Sequence, residues 1–493
     1  MSSSHSPSSP TPPTVLLSGH EIRQRFMAYF ENKDNRADWP APHAVRPSAS
    51  LIPDNPTVML TPAGMLPFVP IFLGIEPPPS PPRAVSSQKC ARVSGKASDL
   101  ENVGRTPHHH TFFEMLGNFS FGDYFKAEVI PWAWAFITKE LAIPTEHLWV
   151  TVLGEGTTPT DTESYRIWRD VVGIPEDRIL CCGEKDNFWG PTSPAGPCGP
   201  CTEIHFDRRP TEASPKTDIA LLDDAERFTE IWNLVFMEEF QDEDGARSEL
   251  ARKNIDTGMG LERITMVLAW LHDKTVTSTF DTDLLKPILQ SLAVTMGTRY
   301  GVSAENDIAL KVIADHARFA VFAIADGVIP NNVGRGYILR MIIRRAYRYG
   351  QRAFPAHGRG AISTIVDEIC QAYRPHYPAL GTGAAAIQRL IGEEESKFAK
   401  TLDRGLAMID GLLPELTVSK SIAGGKAFEL YDTYGFPVEL TQDIAAEHGL
   451  SVDITGFEKA MAEQKNRSRG ARKTTAIVGN QGYGDILADA GAN

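Results

Sequence analysis

At 493 residues the chain exceeds a single core, and ordinary domain sizes divide it into two to four units. A composition of 42% hydrophobic and 23% charged residues predicts a soluble globular protein, and no uninterrupted apolar run reaches the roughly eighteen residues of a membrane span. A net charge of −13 argues against a wrapper of bulk nucleic acid, although a local basic patch can override it, and six cysteines without a secretory leader predict free thiols in a reducing compartment.

Residues 1–18 are Ser/Pro-rich, with neither an acid nor a Lys or Arg, and read as a disordered tail; the missing arginines speak against a transit peptide. From Gly19 the pattern becomes globular. Ile22, Phe26 and Tyr29 recur at helical spacing, and the short apolar run TVMLT follows a Pro-rich segment. Between about 85 and 265 the β-like runs HLWVTVL, CTEIHFD and EIWNLVFM alternate with Gly-, Pro- and Asp-rich loops, which predicts a mainly antiparallel sheet with flanking helices. After about 283 the segments LLKPILQSLAVTM, IALKVIADHARFAVFAIAD, RGYILRMIIRRAYRYGQR and AAAIQRLIGEEESKF are long amphipathic helices. The fold class is therefore α+β: a catalytic-type sheet unit at 19–282, an all-α unit at 283–470, and a linker or disordered end at 471–493.

Two segments carry chemistry. In QKCARVSGKASDLENVG followed by HHHTFFEMLGNFSFGDYFK, a strand bearing Arg92 turns through a Gly- and Asp-containing loop and returns on an apolar strand, a geometry that holds an arginine over a phosphate and offers aromatics to a base. In NIDTGMGLERI, Gly258 and Gly260 allow close backbone approach to a ligand, and Arg263 follows at a helix start.

These segments resemble motifs 2 and 3 of the class II aminoacyl-tRNA synthetases. ENVG, HHTFFEMLGNFSFGDYFK, GPCGPCTEI, IWNLVFM, DTGMGLERI and LYDTYGFPVEL resemble the alanyl-tRNA synthetase family in particular, from about residue 19 to about 470. The resemblance implies a class II antiparallel sheet with flanking helices followed by a helical tRNA-recognition domain. It implies ATP as substrate with Mg²⁺, L-alanine, the acceptor stem of tRNA(Ala) as partner, and a cytoplasmic or organellar setting. Arg92 matches the arginine on the α-phosphate and Arg263 the arginine at the γ-phosphate. Lys96, His109, Phe112 and Phe113 match the remaining nucleotide contacts. Asp256 matches the carboxylate on the substrate ammonium, with Trp189, Asn233 and Gly258 around a small pocket. A methyl-sized pocket discriminates by only about 1–3 kcal/mol, so glycine and serine are expected competitors. The family's zinc-dependent editing domain and C-terminal assembly region would lie beyond residue 493, so the expectation is no editing in cis, no zinc and a monomer.

Cys198-Gly-Pro-Cys201 is half of a zinc pattern without its second half, and structural thiols are the favoured reading. His108, His109 and His110 could suggest a metal, but a strand would send neighbours to opposite faces, leaving at most His108 and His110 together, and motif 2 nucleotide contacts are the favoured reading. Between Asp326 and Asp367 the chain has no acid but carries Arg335, Arg340, Arg344, Arg345, Arg348, Arg352 and Arg359, with steps of four that align one helical face while Ile338, Ile342 and Ala346 turn inward. A phosphate-backbone contact through Arg335, Arg340, Arg344 and Arg348 is expected. By resemblance, Asn332 and Asp432 read a G·U pair of the acceptor stem. The chain departs from the family pattern with PHHH for ARHH, VSGKAS for GGKHND, the Pro-rich IEPPPSPPRA, and a WGPTSPAGPC segment one residue longer than usual. Two rivals follow: an editing deacylase, which would need the absent zinc ligands, and a catalytically inactive, synthetase-like RNA-binding protein.

Overall fold

The computed structural model describes residues 16–55, 58–93, 99–156, 158–191, 195–212, 224, 226–413, 416 and 420–464. The chain start up to residue 15, Lys96 and the 471–493 end lie outside the described residues. Two compact units divide between Gly392 and Glu393.

The first unit is built on a nine-stranded sheet: β1 (Ala44–Val45), β2 (Arg83–Ala91), β3 (Phe112–Phe121), β4 (Leu148–Leu153), β5 (Ile179–Cys182), β6 (Phe188–Trp189), β7 (Gly196–Asp207), β8 (Phe228–Gln241) and β9 (Arg247–Gly260). Their order is β1-β2-β3-β9-β8-β7-β4-β5, with β6 paired to β7. The edge pairs β1·β2 and β4·β5 are parallel, and the pairs between β2 and β4 are antiparallel. The expected antiparallel-dominated sheet with flanking helices is thus the observed architecture.

The helix Gly19–Glu31 starts on a capping box, in which Ser18 Oγ accepts from the Glu21 amide and the Glu21 carboxylate takes the Ser18 amide. Its stripe of Ile22, Phe26 and Tyr29 is buried, as the spacing predicts. It packs with the helices Lys126–Ala135 and Leu261–His272 over Leu116, Trp232, Leu234, Ile255 and Met259 of the sheet. The opposite face of the sheet packs Phe119, Phe121, Val235 and Met237 against Ala63, Met65, Phe68 and Phe72.

Helices Lys286–Thr295, Ala304–Ala325, Gly334–Ala353 and Val366–Tyr373 form a third core that takes in Leu51, Ala91 and Phe112 from the sheet side. Ile338, Ile342 and Ala346 face inward as expected. The second unit contains its share of the helix Leu380–Leu412, the helices Gly424–Tyr434 and Val438–Glu447, and the short parallel pair β10 (Ser421–Ile422) and β11 (Ser451–Val452), closed over Ile422, Leu430, Phe436 and Leu440. Among the described residues no helix is long and apolar enough to cross a membrane.

What fastens the sheet to the helices is polar. Asp315, fully buried on Ala304–Ala325, accepts from the Thr111 amide (3.1 Å to each oxygen), the Thr111 hydroxyl, His110 Nδ1 (3.1 Å) and His316 Nδ1 (3.0 Å). Burial alone would raise its pKa; the bonds from the two histidines hold it far below the usual carboxylate range. Nearby, Arg318 pairs with Glu262, whose other oxygen accepts the Glu114 amide at 3.1 Å, and Glu114 is clamped by Arg23 and by the Tyr377 hydroxyl at 2.8 Å. Lys89 on β2 reaches Asp326 at 2.6 Å. Removing one partner of such a cluster strands the rest without water, at a cost of about 3–5 kcal/mol. Asp315→Ala is therefore expected to lower unfolding free energy by about that amount. Urea denaturation followed by circular dichroism checks this, and a loss below about 1 kcal/mol contradicts the anchoring role.

Candidate active site

A cleft opens on the sheet, lined by Arg92, Asp99, His108, His110, Phe113, Met115, Glu230, Ile231, Gly258, Gly260, Glu262 and Arg263. Strand alternation assembles it. On β3 Phe113 and Met115 point to the cleft, whereas Phe112 and Leu116 enter the cores on the other side. On β9 Gly258 and Gly260 face the cleft, and Ile255 and Met259 face the core. Register brings these strands together: Met115 stands opposite Gly260, Phe119 opposite Asp256, and Asn233 opposite Gly258.

Arg92 lies just beyond the end of β2. Its Nε donates to the Pro62 carbonyl at 3.2 Å and its guanidinium sits 5.0 Å from the Phe113 ring centre, which fixes the plane of the charge. Arg263 is in the first turn of Leu261–His272, where Nη1 donates to Glu230 Oε2 at 2.8 Å and to the Glu230 carbonyl at 3.2 Å. Burial pushes the Glu230 carboxyl up, and Arg263 more than reverses that. Both motif arginines therefore line one cleft. Asp99, whose amide donates to the Arg92 carbonyl at 3.2 Å, is raised by burial, with Arg92 opposing.

Asp256 stands two residues before Gly258 on the same face of β9, but neither it nor Asn233 nor Trp189 is among the residues that line the cleft. Asp256 is 6% exposed, and among the described residues no lysine, arginine or histidine makes an ion pair with it. Burial alone raises its pKa to about 7. Asn233 donates to Glu203 Oε1 at 2.9 Å while its own Oδ1 is buried without a hydrogen-bond partner. A Cβ at Gly258 would stand 2.8 Å from Met115 Sδ, so a side chain there would push the Met115 thioether aside. Met115 and Trp189 both pack on the core formed by Val235 and Cys201. Glu203 is raised by burial and then by Glu230, and it is bonded to His205 at 3.0 Å.

Several expected residues fall elsewhere. Phe112 does not reach the cleft: it is fully buried, stacks on Phe322 (4.2 Å, 10°) and lies under Arg318. The histidines 108–110 precede β3 in an irregular segment, so strand alternation does not govern them; His108 and His110 line the cleft, and His109 is bonded to Thr106 Oγ1 at 2.7 Å with its pKa lowered to about 4 by burial and Arg263. Cys198 and Cys201 are buried in β7, their thiols pushed up by burial. Between them, a Cβ at Gly199 would stand 1.9 Å from the Phe236 carbonyl oxygen, so this glycine meets a strand constraint. Glu230, Asp99, Met115 and Glu262 join the cleft without having been singled out in the sequence.

The residues expected to face nucleic acid are spread over two units. Asn332 is exposed, and its side-chain oxygen accepts from Arg340. Arg335 donates to the carbonyls of Met59 and, at 3.3 Å, Val58. Arg344 is half-buried and Arg348 is buried, so the stripe is not uniformly solvated. Arg345 is buried against His316 at 2.9 Å, and Arg352 reaches Glu305 at 3.6 Å. Asp432 belongs to the second unit, is exposed, and accepts from Gln464 at 2.7 Å.

The model of the tRNA synthetases class II (A) family matches residues 21–486. Curated relatives named alanine-tRNA ligase include those of Desulforamulus reducens, 45% identical over 95% of this chain and 50% of their own, Synechococcus sp., 47% over 96% and 51%, and Thermotoga maritima, 46% over 92% and 50%. The chain thus spans about half the length of the curated relatives it matches. Among solved structures, apo histidyl-tRNA synthetase of S. aureus aligns over 56% of this chain and 73% of its own, at 12% identity and a TM-score of 0.30; the assignment rests on the sequence matches alone. Matched over nearly its whole length, the chain belongs to the family of class II (A) tRNA synthetases.

Proposed function

We propose that the cleft activates L-alanine with ATP, giving alanyl-adenylate and pyrophosphate, and then transfers alanine to the 3′ end of tRNA(Ala). The observation that carries this reading is Asp256: a buried carboxylate without a counter-ion among the described residues, two residues along β9 from Gly258 of a cleft that two arginines line. An amino group would complete an ion pair with that carboxylate.

In the first step the alanine carboxylate attacks the α-phosphorus in line, the bond to the bridging oxygen breaks, and pyrophosphate leaves. Arg92 neutralises charge at the α-phosphate, Arg263 holds the far end of the nucleotide, and Phe113 offers a face to the base. In the second step the terminal ribose hydroxyl attacks the activated carbonyl and AMP leaves, with positioning as the main contribution. Magnesium is usually bound through substrate phosphates and one or two carboxylates. Among the described residues no group of three or more His, Cys, Asp or Glu could hold a metal ion, so an ion would come with the phosphates; Glu230, which also pairs with Arg263, is the cleft carboxylate that would hold it, and the ion would supply charge neutralisation. Lys96 and His109 complete the proposed nucleotide contacts. Asn332, Arg335, Arg340, Arg344, Arg348 and Asp432 are assigned to the acceptor stem, the first by its exposed amide and the arginines by charge.

Alanine-dependent ATP–pyrophosphate exchange tests the first step. Exchange is expected with alanine and, more weakly, with glycine and serine; Arg263→Ala should reduce it at least about a hundredfold while leaving the fold intact. A folded chain that exchanges with no amino acid would instead be the inactive RNA-binding protein. Because an ammonium needs the ionised Asp256, KM for alanine should fall as pH rises through about 7 and then level off. Asp256→Asn should abolish that dependence, and a KM flat from pH 6 to 8 in the parent chain contradicts the assignment.

A further inference from the structure

Thr257 stands between Asp256 and Gly258 on β9, and its side chain turns the other way, to the face on which Ile255 and Met259 enter the apolar core. Packing alone does not call for a hydroxyl on that face. Thr257 is nevertheless joined there to Asn118, Tyr124 and His43, all four of them buried.

The bonds of this group run in one direction. His43 Nδ1 lies 2.8 Å from the Ala41 carbonyl, which only accepts, so the ring proton is on Nδ1 and Nε2 is an acceptor. Burial pushes the His43 pKa down to about 3, which keeps the ring in that neutral form. The Tyr124 hydroxyl therefore donates to His43 Nε2 at 3.1 Å and accepts from Asn118 Nδ2 at 2.8 Å. Asn118 Oδ1 accepts from the Thr257 hydroxyl at 2.7 Å, and that hydroxyl accepts from the Asn118 amide at 3.1 Å. Reversing the Asn118 side chain would leave His43 Nε2 without a donor and the Thr257 hydroxyl without an acceptor, so one orientation satisfies every member.

The chain acts where β9 carries Asp256 and Gly258. On the β8 side that segment is paired through Asn233·Gly258, Leu234·Thr257 and Val235·Asp256. On the β3 side the register passes from Leu116·Met259 to Phe119·Asp256, and across that interval the Asn118 amide is bonded to the Thr257 hydroxyl. The strands are close here, since a Cβ at Gly117 would stand 2.7 Å from the Thr257 carbonyl oxygen. At its far end the chain is anchored by the His43 amide, which donates to the Phe30 carbonyl at 2.9 Å at the end of the first helix. Burial raises the Tyr124 hydroxyl, against the bond from Asn118, and the charge of Asp256 adds to the rise, so chain and carboxylate lie within electrostatic reach of each other.

We propose that Thr257 is a positioning residue for amino-acid binding: through Asn118, Tyr124 and His43 its hydroxyl fixes β9 at Asp256 and Gly258. The inference rests on reading Asp256 as the partner of the substrate amino group, and deepens it by assigning what holds that carboxylate in place.

Alanine-dependent ATP–pyrophosphate exchange by the parent chain, Thr257→Val, Thr257→Ser and Tyr124→Phe tests it, with KM determined separately for alanine and ATP and the fold followed by circular dichroism. Thr257→Val keeps the shape and removes the hydroxyl; it is expected to raise KM for alanine about tenfold and KM for ATP by less than about twofold. Thr257→Ser, which restores the hydroxyl, should return KM for alanine to within about threefold of the parent value, and Tyr124→Phe, which breaks the chain further along, should raise it about fivefold. A folded Thr257→Val protein with unchanged KM for alanine overturns the inference, and so does an equal rise in both KM values, because a merely structural hydroxyl would not single out the amino acid. Should Thr257→Val fail to fold, Tyr124→Phe decides by the same criteria. Asp256→Asn with unchanged KM for alanine, or a parent chain without exchange, removes the reading of Asp256 and this inference together.

Discussion

The molecule depends on burying ionised groups behind a strand whose other face must stay open. β3 turns Phe113 and Met115 to the cleft and Phe112, Glu114 and Leu116 away from it. A carboxylate facing a core is tolerable only if it is paired and hydrogen-bonded on every side. Glu114 meets that condition through Arg23, Tyr377 and Ser87, with Arg23 reversing the rise that burial would cause. Its amide in turn holds Glu262, the residue immediately before Arg263. The position of a cleft arginine is thus linked, through two carboxylates, to the N-terminal helix and to Arg318 on Ala304–Ala325.

This arrangement separates rigidity from chemistry. Buried charge pairs add little net stability compared with apolar packing, but removing half of one is costly, so they penalise every alternative register of β3 against its neighbours. A one-residue slip would put Glu114 in the cleft and Met115 in the core. Asp315 acts in the same way at the start of the strand, where it gathers His110, Thr111 and His316 and leaves the preceding segment a fixed exit toward Pro107. The cleft can then carry unsatisfied groups because the strand beneath it has no other low-energy position.

The sequence disclosed the elements and the cleft arginines, but not which side chains the fold would withdraw. Ile22, Phe26 and Tyr29 declare their helix by spacing alone, and Arg92 and Arg263 are legible because each sits in a glycine-containing context at the end of an element. Phe112 and Phe113 are indistinguishable by type; only the registers of β2 and β9 decide that the first stacks on Phe322 and the second faces the ligand side. Arg345 lies among arginines that read as one basic set, yet its partner His316 is on a helix close by in space rather than in sequence. Glu230 and Glu262 gave no local signal because their roles come from long-range ion pairs. The glycine of the CGPC segment carries a strand-packing constraint that a spacing pattern for metals does not encode.

Asp256 and Asp315 show how environment assigns opposite work to one residue type. Both are buried. Asp315 is saturated with donors and is held ionised, so its charge belongs to the fold; Asp256 has no such side-chain donors among the described residues, and burial raises its pKa to about 7. Ionising it opposes folding: the folded state retains a proton that the unfolded chain loses near pH 3.8, so the stability contribution of Asp256 falls as pH rises from about 4 to about 7 and then levels. A sequence under no other demand would neutralise such a group or give it a partner, as it does at every other point of this network. On the proposed function, the carboxylate opposes folding until a cation is bound, and a bound amino group would supply the charge partner that is missing among the described residues.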